Sequence, residues 1–199
     1  RVLQMHPDSL AHRAYVYGFL CHFALDTLSH DYVAEKEAAS GLSHARIESE
    51  LERALMLRDG LDPASHRPTG HLVPSEENAA VIADFFPEVT QEQVLDSLRG
   101  LVFYLDLLVA PSALKRWVIF TALRLAGQFE KLGGLVVGPD PEPRCEDSNA
   151  ELLRRFDQAA ELAARLIGDF DRVVESGQAE DPIYGRTFDP KPEQEAANA

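Results

Sequence analysis

Only two cysteines, Cys21 and Cys145, occur in the 199 residues. A disulfide framework is therefore excluded, and two reduced thiols in a cytoplasmic protein are expected. Basic residues are scarce as well. Lysine and arginine total 19 against 33 acidic residues, giving a formal charge of −14 and a pI near 4.8. An acidic surface of this kind repels phosphate backbones and anionic headgroups, so no nucleic-acid-binding surface is expected. It does not exclude a phosphodiester substrate, because bound metal ions reverse the local sign. Long apolar runs are missing too. The longest, from Trp117 to Gly127, is interrupted by Arg124 and is too short to cross a bilayer. No signal peptide is visible. The chain opens on Arg1 rather than methionine, so part of the domain is expected upstream.

Extended β-branched runs are few, whereas Ala, Leu, Glu and Arg are abundant. With 45% hydrophobic residues the chain can fill one core, and its class is expected to be all-α. The first helix should run from about Pro7 to Leu28 and be buried on several sides. Ser43 is a natural N-cap for a second helix ending near Arg58 and Gly60. Residues 61–74 read as a loop. Short helical patterns follow over Ser75–Phe85 and, after Thr90, through Val94, Leu98, Leu101, Val102, Leu105 and Leu108. Ser112–Leu132 is apolar nearly all round and reads as the central helix. Asn149–Ser176 is a long amphipathic helix with Leu152, Phe156, Ala159, Ala163, Leu166, Ile167 and Phe170 inward. The expected architecture is a bundle of about six helices forming one domain over residues 1–176, with an irregular tail over 177–199.

The chemistry concentrates in the first 48 residues. His22, Asp26 and His30 are spaced by four, a net turn of about 40° per step on an α-helix. They share one face. His44 and Glu48 form a second pair at the same spacing on the next helix. Two antiparallel helices can turn these five side chains towards a common seam. Imidazole nitrogen and carboxylate oxygen are good zinc ligands, and five of them exceed what one tetrahedral ion needs. They fit two or more ions, an arrangement suited to phosphodiester hydrolysis. A buried polar network is the competing reading of the same residues, although burying them unpaired would be costly.

The segment GFLCHFALDTLSHDYV, followed by SHARIESE, resembles the zinc-dependent phospholipase C family of bacteria. That family's pattern is H-x-x-x-D, a nearby His, about fourteen residues, then H-x-x-x-E. The match spans roughly Ala14 to Gly60. The resemblance implies an all-α bundle shared with the S1/P1 nucleases and one to three Zn2+ ions. It assigns His30, His44 and Glu48 to one ion, and His22 and Asp26 to part of a second site. Two departures stand out. Asp31 occupies a position often held by proline, and the family's upstream Asp and His have no counterpart among the residues preceding His22. The general base is therefore unassigned.

The expected activity is hydrolysis of a small phosphodiester or phospholipid. An S1/P1-like nuclease or phosphatase, and a non-catalytic member with a structural zinc, are the alternatives. Glu50, Glu52, Asp59 and Asp62 follow the ligands and should repel a long polyanion. His6 and His12 are expected to be solvent-exposed, and Arg67 to be an ordinary surface arginine. His66 and His71 sit in a loop placed to fold over the site. Phe103, Tyr104, Trp117 and Phe120 are expected in the core.

Overall fold

One helix of 31 residues, Leu10–Ser40, organises the molecule. The computed structural model describes residues 2–177 and 182–186, and these contain helices and connecting turns but no strand. In chain order the α-helices are α1 (Val2–Met5), α2 (Leu10–Ser40), α3 (His44–Arg58), α4 (Glu76–Ala83), α5 (Gln91–Leu108), α6 (Ala113–Leu125), α7 (Phe129–Leu132) and α8 (Glu146–Ser176). The six longer ones correspond to the six helical segments expected from the sequence. None is long and apolar enough to cross a membrane.

The local chemistry of the ends is largely as read. Ser75, Thr90 and Ser112 accept main-chain N–H groups at the starts of α4, α5 and α6, and Thr90 forms a full capping box with Gln93. Helix α2 departs from expectation at both ends. It begins at Leu10 because Ser9 takes the N-cap position, its hydroxyl accepting the His12 N–H. It also runs past Leu28 to Ser40. The added turns are rich in Ala, Glu and Lys, and they bury Val33 and place Lys36 Nζ 2.6 Å from Asp147 Oδ1 on α8. Gly41, at φ 67°, ends the helix in a left-handed conformation that favours glycine.

The core lies along α2. On one face Leu20 and Phe23 pack against Leu166 and Phe170 of α8. Next to them Ala24 meets Ala159 and Ala163, small side chains that let the two helix backbones approach. Further along, Val33, Leu42, Ile47, Cys145 and Leu152 join α2, α3 and α8. Each fully buried Ile or Leu contributes about 1.5–3 kcal/mol by leaving water. Helices α4 and α5 form a hairpin closed by Ala79, Val94 and Leu95. This hairpin leans on the N-terminal half of α2, where Phe85 meets the Tyr15 ring at 4.8 Å.

Three expectations about the core are overturned. Ser112–Leu132 is not the central helix. It breaks at Gly127, which adopts φ 66°, and α6 has no buried residue. Its all-round apolar pattern is therefore spread over the surface, with Trp117 at 64% exposure. Phe103 and Tyr104 are exposed as well, and edge-on to each other, rather than in the core. Phe120 is partly buried against Phe129. Finally, the supposed tail is not wholly irregular: Ile183 and Tyr184, in the turn Pro182–Gly185, pack against the Leu20–Phe170 cluster. Residues 178–181 and 187–199 lie outside the described residues.

Candidate metal centre

The interior of α2 and the first turn of α3 supply the five side chains that the spacing singled out. His22 Nε2 lies 3.0 Å from Asp26 Oδ2, and His30 Nε2 lies 3.7 Å from Asp26 Oδ1. On α3, His44 Nε2 lies 2.9 Å from Glu48 Oε1. The two helices meet at this point, with the His30 and His44 rings edge to face at 5.4 Å. Ligand atoms of His30, His44 and Glu48 all fall within 4.8 Å of one another. Asp26 and His30 are partly buried, whereas the His22 side chain is 65% exposed, so the group sits at the protein's edge with one side open to water.

The start of α3 is capped in an unexpected way. Ser43 occupies the N-cap position, yet its side chain makes no capping bond. Instead Glu37, one turn before the end of α2, accepts the His44 main-chain N–H at 3.1 Å. The second Glu37 carboxylate oxygen lies 4.0 Å from His44 Nδ1. His44 thus has the Glu48 carboxylate bonded at Nε2 and the Glu37 carboxylate, beyond hydrogen-bond distance, near Nδ1. The bond from Glu48 is the main cause that raises the His44 pKa, with burial opposing it and Glu37 and Asp26 adding to it. Reciprocally, His44 holds the Glu48 carboxyl below its ordinary range, against burial and with help from His30 and His22.

Behind these residues lies a cavity of about 450 Å³. His22, Asp26, His30 and Glu48 stand in its wall together with apolar side chains such as Leu25, Leu51, Leu55, Leu105 and Leu135. The loop between α3 and α4 forms part of the wall through Pro63, His66 and Pro68. Asp106 on α5 pins that loop by accepting from both Arg67 and Thr69. His66 therefore faces the cavity, while His71 is exposed outside it.

Several contributors were not among the five that the spacing singled out. Glu37 and Ser29 are the clearest, and Glu52 was read only as a surface charge. Ser29 Oγ lines the cavity, buried and with no hydrogen-bond partner among the described residues. Glu52 also lines it, and burial raises its pKa, opposed by the charge of His66. Glu50, by contrast, is 1% exposed and 3.7 Å from Arg46, so it does not face a substrate. Helix spacing does mark both, Glu52 four residues after Glu48 and Ser29 three after Asp26; the packing of α2, α3 and the loop then aims them at one space. Comparison of the chain with known protein families, curated proteins and solved structures finds no match.

Proposed function

We propose that this chain is a zinc-dependent hydrolase of small phosphodiesters, with a phospholipase C-like arrangement of helices. The observation that carries the reading is the convergence of three histidines and two carboxylates at the mouth of an aliphatic cavity. The donor set fits zinc: nitrogen and carboxylate oxygen ligands, too many for one closed site, with an open side. His30, His44 and Glu48 would hold one ion, and His22 and Asp26 would contribute to another. Zinc bound there supplies Lewis acidity and a more acidic water, the two things phosphodiester hydrolysis needs.

The chain's own residues do the rest. Glu37 holds the first residue of α3 by accepting the His44 main-chain N–H, and its charge lies near the ring, which keeps His44 at the site. Leu25, Leu51, Leu105 and Leu135 exclude water and offer an apolar surface to the non-reacting part of a substrate. Glu52, inside that cavity, would disfavour further negative charge next to it. No Phe, Tyr or Trp lines the cavity among the described residues, and two of its three imidazoles, His22 and His30, are committed to the metal in this reading. That favours a lipid-like or small soluble diester over single-stranded nucleic acid.

The test has two stages. Metal analysis of the protein purified without chelator should find at least one zinc per molecule, reduced by Glu48→Gln and by His30→Ala. The zinc-loaded protein is then assayed side by side on a chromogenic phosphodiester, phosphatidylcholine micelles and single-stranded DNA, at low and moderate salt. Faster cleavage of DNA, lost in His30→Ala, would turn the reading to a nuclease. Bound zinc with no hydrolysis of any substrate would make the site structural. Absence of zinc, with Glu48→Gln leaving stability unchanged, would make the five residues a polar network.

A further inference from the structure

His12 is not exposed as its position suggested. It is 6% exposed and faces Asp84, the residue that ends α4. Its Nε2 lies 2.9 Å from Asp84 Oδ2. His6, in the turn before α2, reaches the same carboxylate oxygen with its own Nε2 at 3.4 Å. The two imidazoles stack, centroids 4.2 Å apart and planes within 7°. Three donors from three separate elements thus meet at one point, 72 residues apart in sequence between His12 and Asp84.

The surroundings favour a cation there. Ser9 Oγ lies 2.7 Å from His12 Nδ1 and already accepts the His12 main-chain N–H. When Ser9 O–H donates to Nδ1, Nε2–H donates to Asp84 Oδ2; in the other tautomer Nδ1–H donates to the hydroxyl and Nε2 turns its lone pair to the carboxylate, the arrangement that a metal ion bridges. Asp84 also sits at the C-terminal end of α4, where the helix adds negative potential. On the side of α4, His12 is backed by the Phe85 ring at 5.9 Å.

We propose that His6, His12 and Asp84 form a second binding site, for a divalent transition-metal ion of the zinc class. In a tetrahedral zinc site with bonds of about 2.0–2.1 Å the ligand atoms are about 3.3 Å apart. The 2.9 and 3.4 Å separations from Asp84 bracket that value. Two imidazoles with one carboxylate select zinc, cobalt or nickel over magnesium or calcium, which prefer oxygen. Stacked rings send their lone pairs side by side, so closing on one ion requires a tilt of His6, whose side chain is 40% exposed. His12 stays in place between Ser9 and Asp84. The ion staples the α4–α5 hairpin and the N-terminal turn to α2, and water takes its fourth position. This site stands ten residues, about 15 Å along α2, from His22, and it does not rest on the proposed hydrolase activity.

The whole chain carrying Asp26→Asn and His30→Ala leaves neither ion of the candidate centre more than two ligands, and so isolates the new site. It should still bind about one equivalent of zinc, and cobalt substitution should give the visible absorption of a low-coordinate Co2+ ion. Adding His6→Ala should abolish both, with metal-free melting unchanged because His6 is half exposed. A double variant that keeps wild-type helical circular dichroism but binds no zinc overturns the proposal. If the double variant fails to fold, His6→Ala alone decides. Loss of one zinc equivalent from the otherwise unaltered protein supports the site, and undiminished stoichiometry refutes it.

Discussion

Replacing Gly134 by alanine should loosen the metal centre without touching any ligand. Gly134 lies in the turn Gly133–Leu135, pressed against the first turn of α3. A Cβ there would sit 2.8 Å from Arg46 N, 3.1 Å from Arg46 Cα and 3.2 Å from the Ala45 carbonyl carbon. All three are backbone atoms, which cannot rotate aside. Ordinary contact needs about 3.5–4.0 Å, so the turn must retreat by roughly 0.5–1 Å. Retreat also stretches the 2.6 Å bond that Ser49 Oγ donates to Gly134 O, and Ser49 is buried. Overpacking costs about 1–3 kcal/mol, and a weakened buried hydrogen bond adds about 1 kcal/mol. For a chain of this size the sum lowers Tm by roughly 4–15 °C. Thermal melting with and without zinc is the assay, together with zinc affinity, because the displaced turn supports the segment carrying His44. Gly100→Ala is the control. It sits within α5 with nothing within 4 Å, and should gain about 0.5–1 kcal/mol. A Gly134→Ala protein that melts within roughly 1 °C of wild type, and binds zinc equally, would refute the reasoning.

Other consequences can be measured on the same protein. Burial raises the Glu52 pKa above its ordinary 4.5, so ionising it costs more in the folded chain than in the unfolded one. Stability is therefore lost as pH rises from the unfolded value through the folded one. Glu52→Gln, compared in chelator, should be more stable than wild type at neutral pH, and the difference should vanish below about pH 4.5; a constant difference across pH would contradict this. Thr90→Ala removes one half of a capping box, Gln93 N–H to Thr90 Oγ1 at 3.2 Å, and keeps the other, the main-chain N–H of residue 90 to Gln93 Oε1 at 2.9 Å. It should cost about 1 kcal/mol, seen as a lower urea midpoint at unchanged slope, and an unshifted midpoint would count against it.

What the sequence made legible was local. Ligand spacing of four residues is fixed by helix geometry, so His22, Asp26 and His30 could be placed on one face before any packing was known. The Thr90 cap acts within three positions and was equally readable, but Ser43, read as a cap in the same way, makes no capping bond. Long-range pairings were not. Nothing around His12 announces Asp84, and nothing in α6 distinguishes an apolar helix at the centre from one on the surface. The end of α2 was misplaced for a related reason: its last turns are held by Val33 and Lys36, whose partners Leu152 and Asp147 lie on α8. Glu37 shows the limit within the site itself. Its role as cap for the main-chain N–H of His44 depends on how the chain turns at Gly41, not on its spacing from that histidine.

The pairing of α2 with α8 has a consequence for synthesis on the ribosome. Leu20 and Phe23 of α2 are covered by Leu166 and Phe170, which are translated much later. At about 5–20 residues per second, the apolar flank of α2 emerges roughly 7–30 seconds before its cover. During that interval the nascent chain carries a sticky helix with no lasting partner, which holdase chaperones are suited to shield. Closure of this flank waits on α8 to leave the exit tunnel.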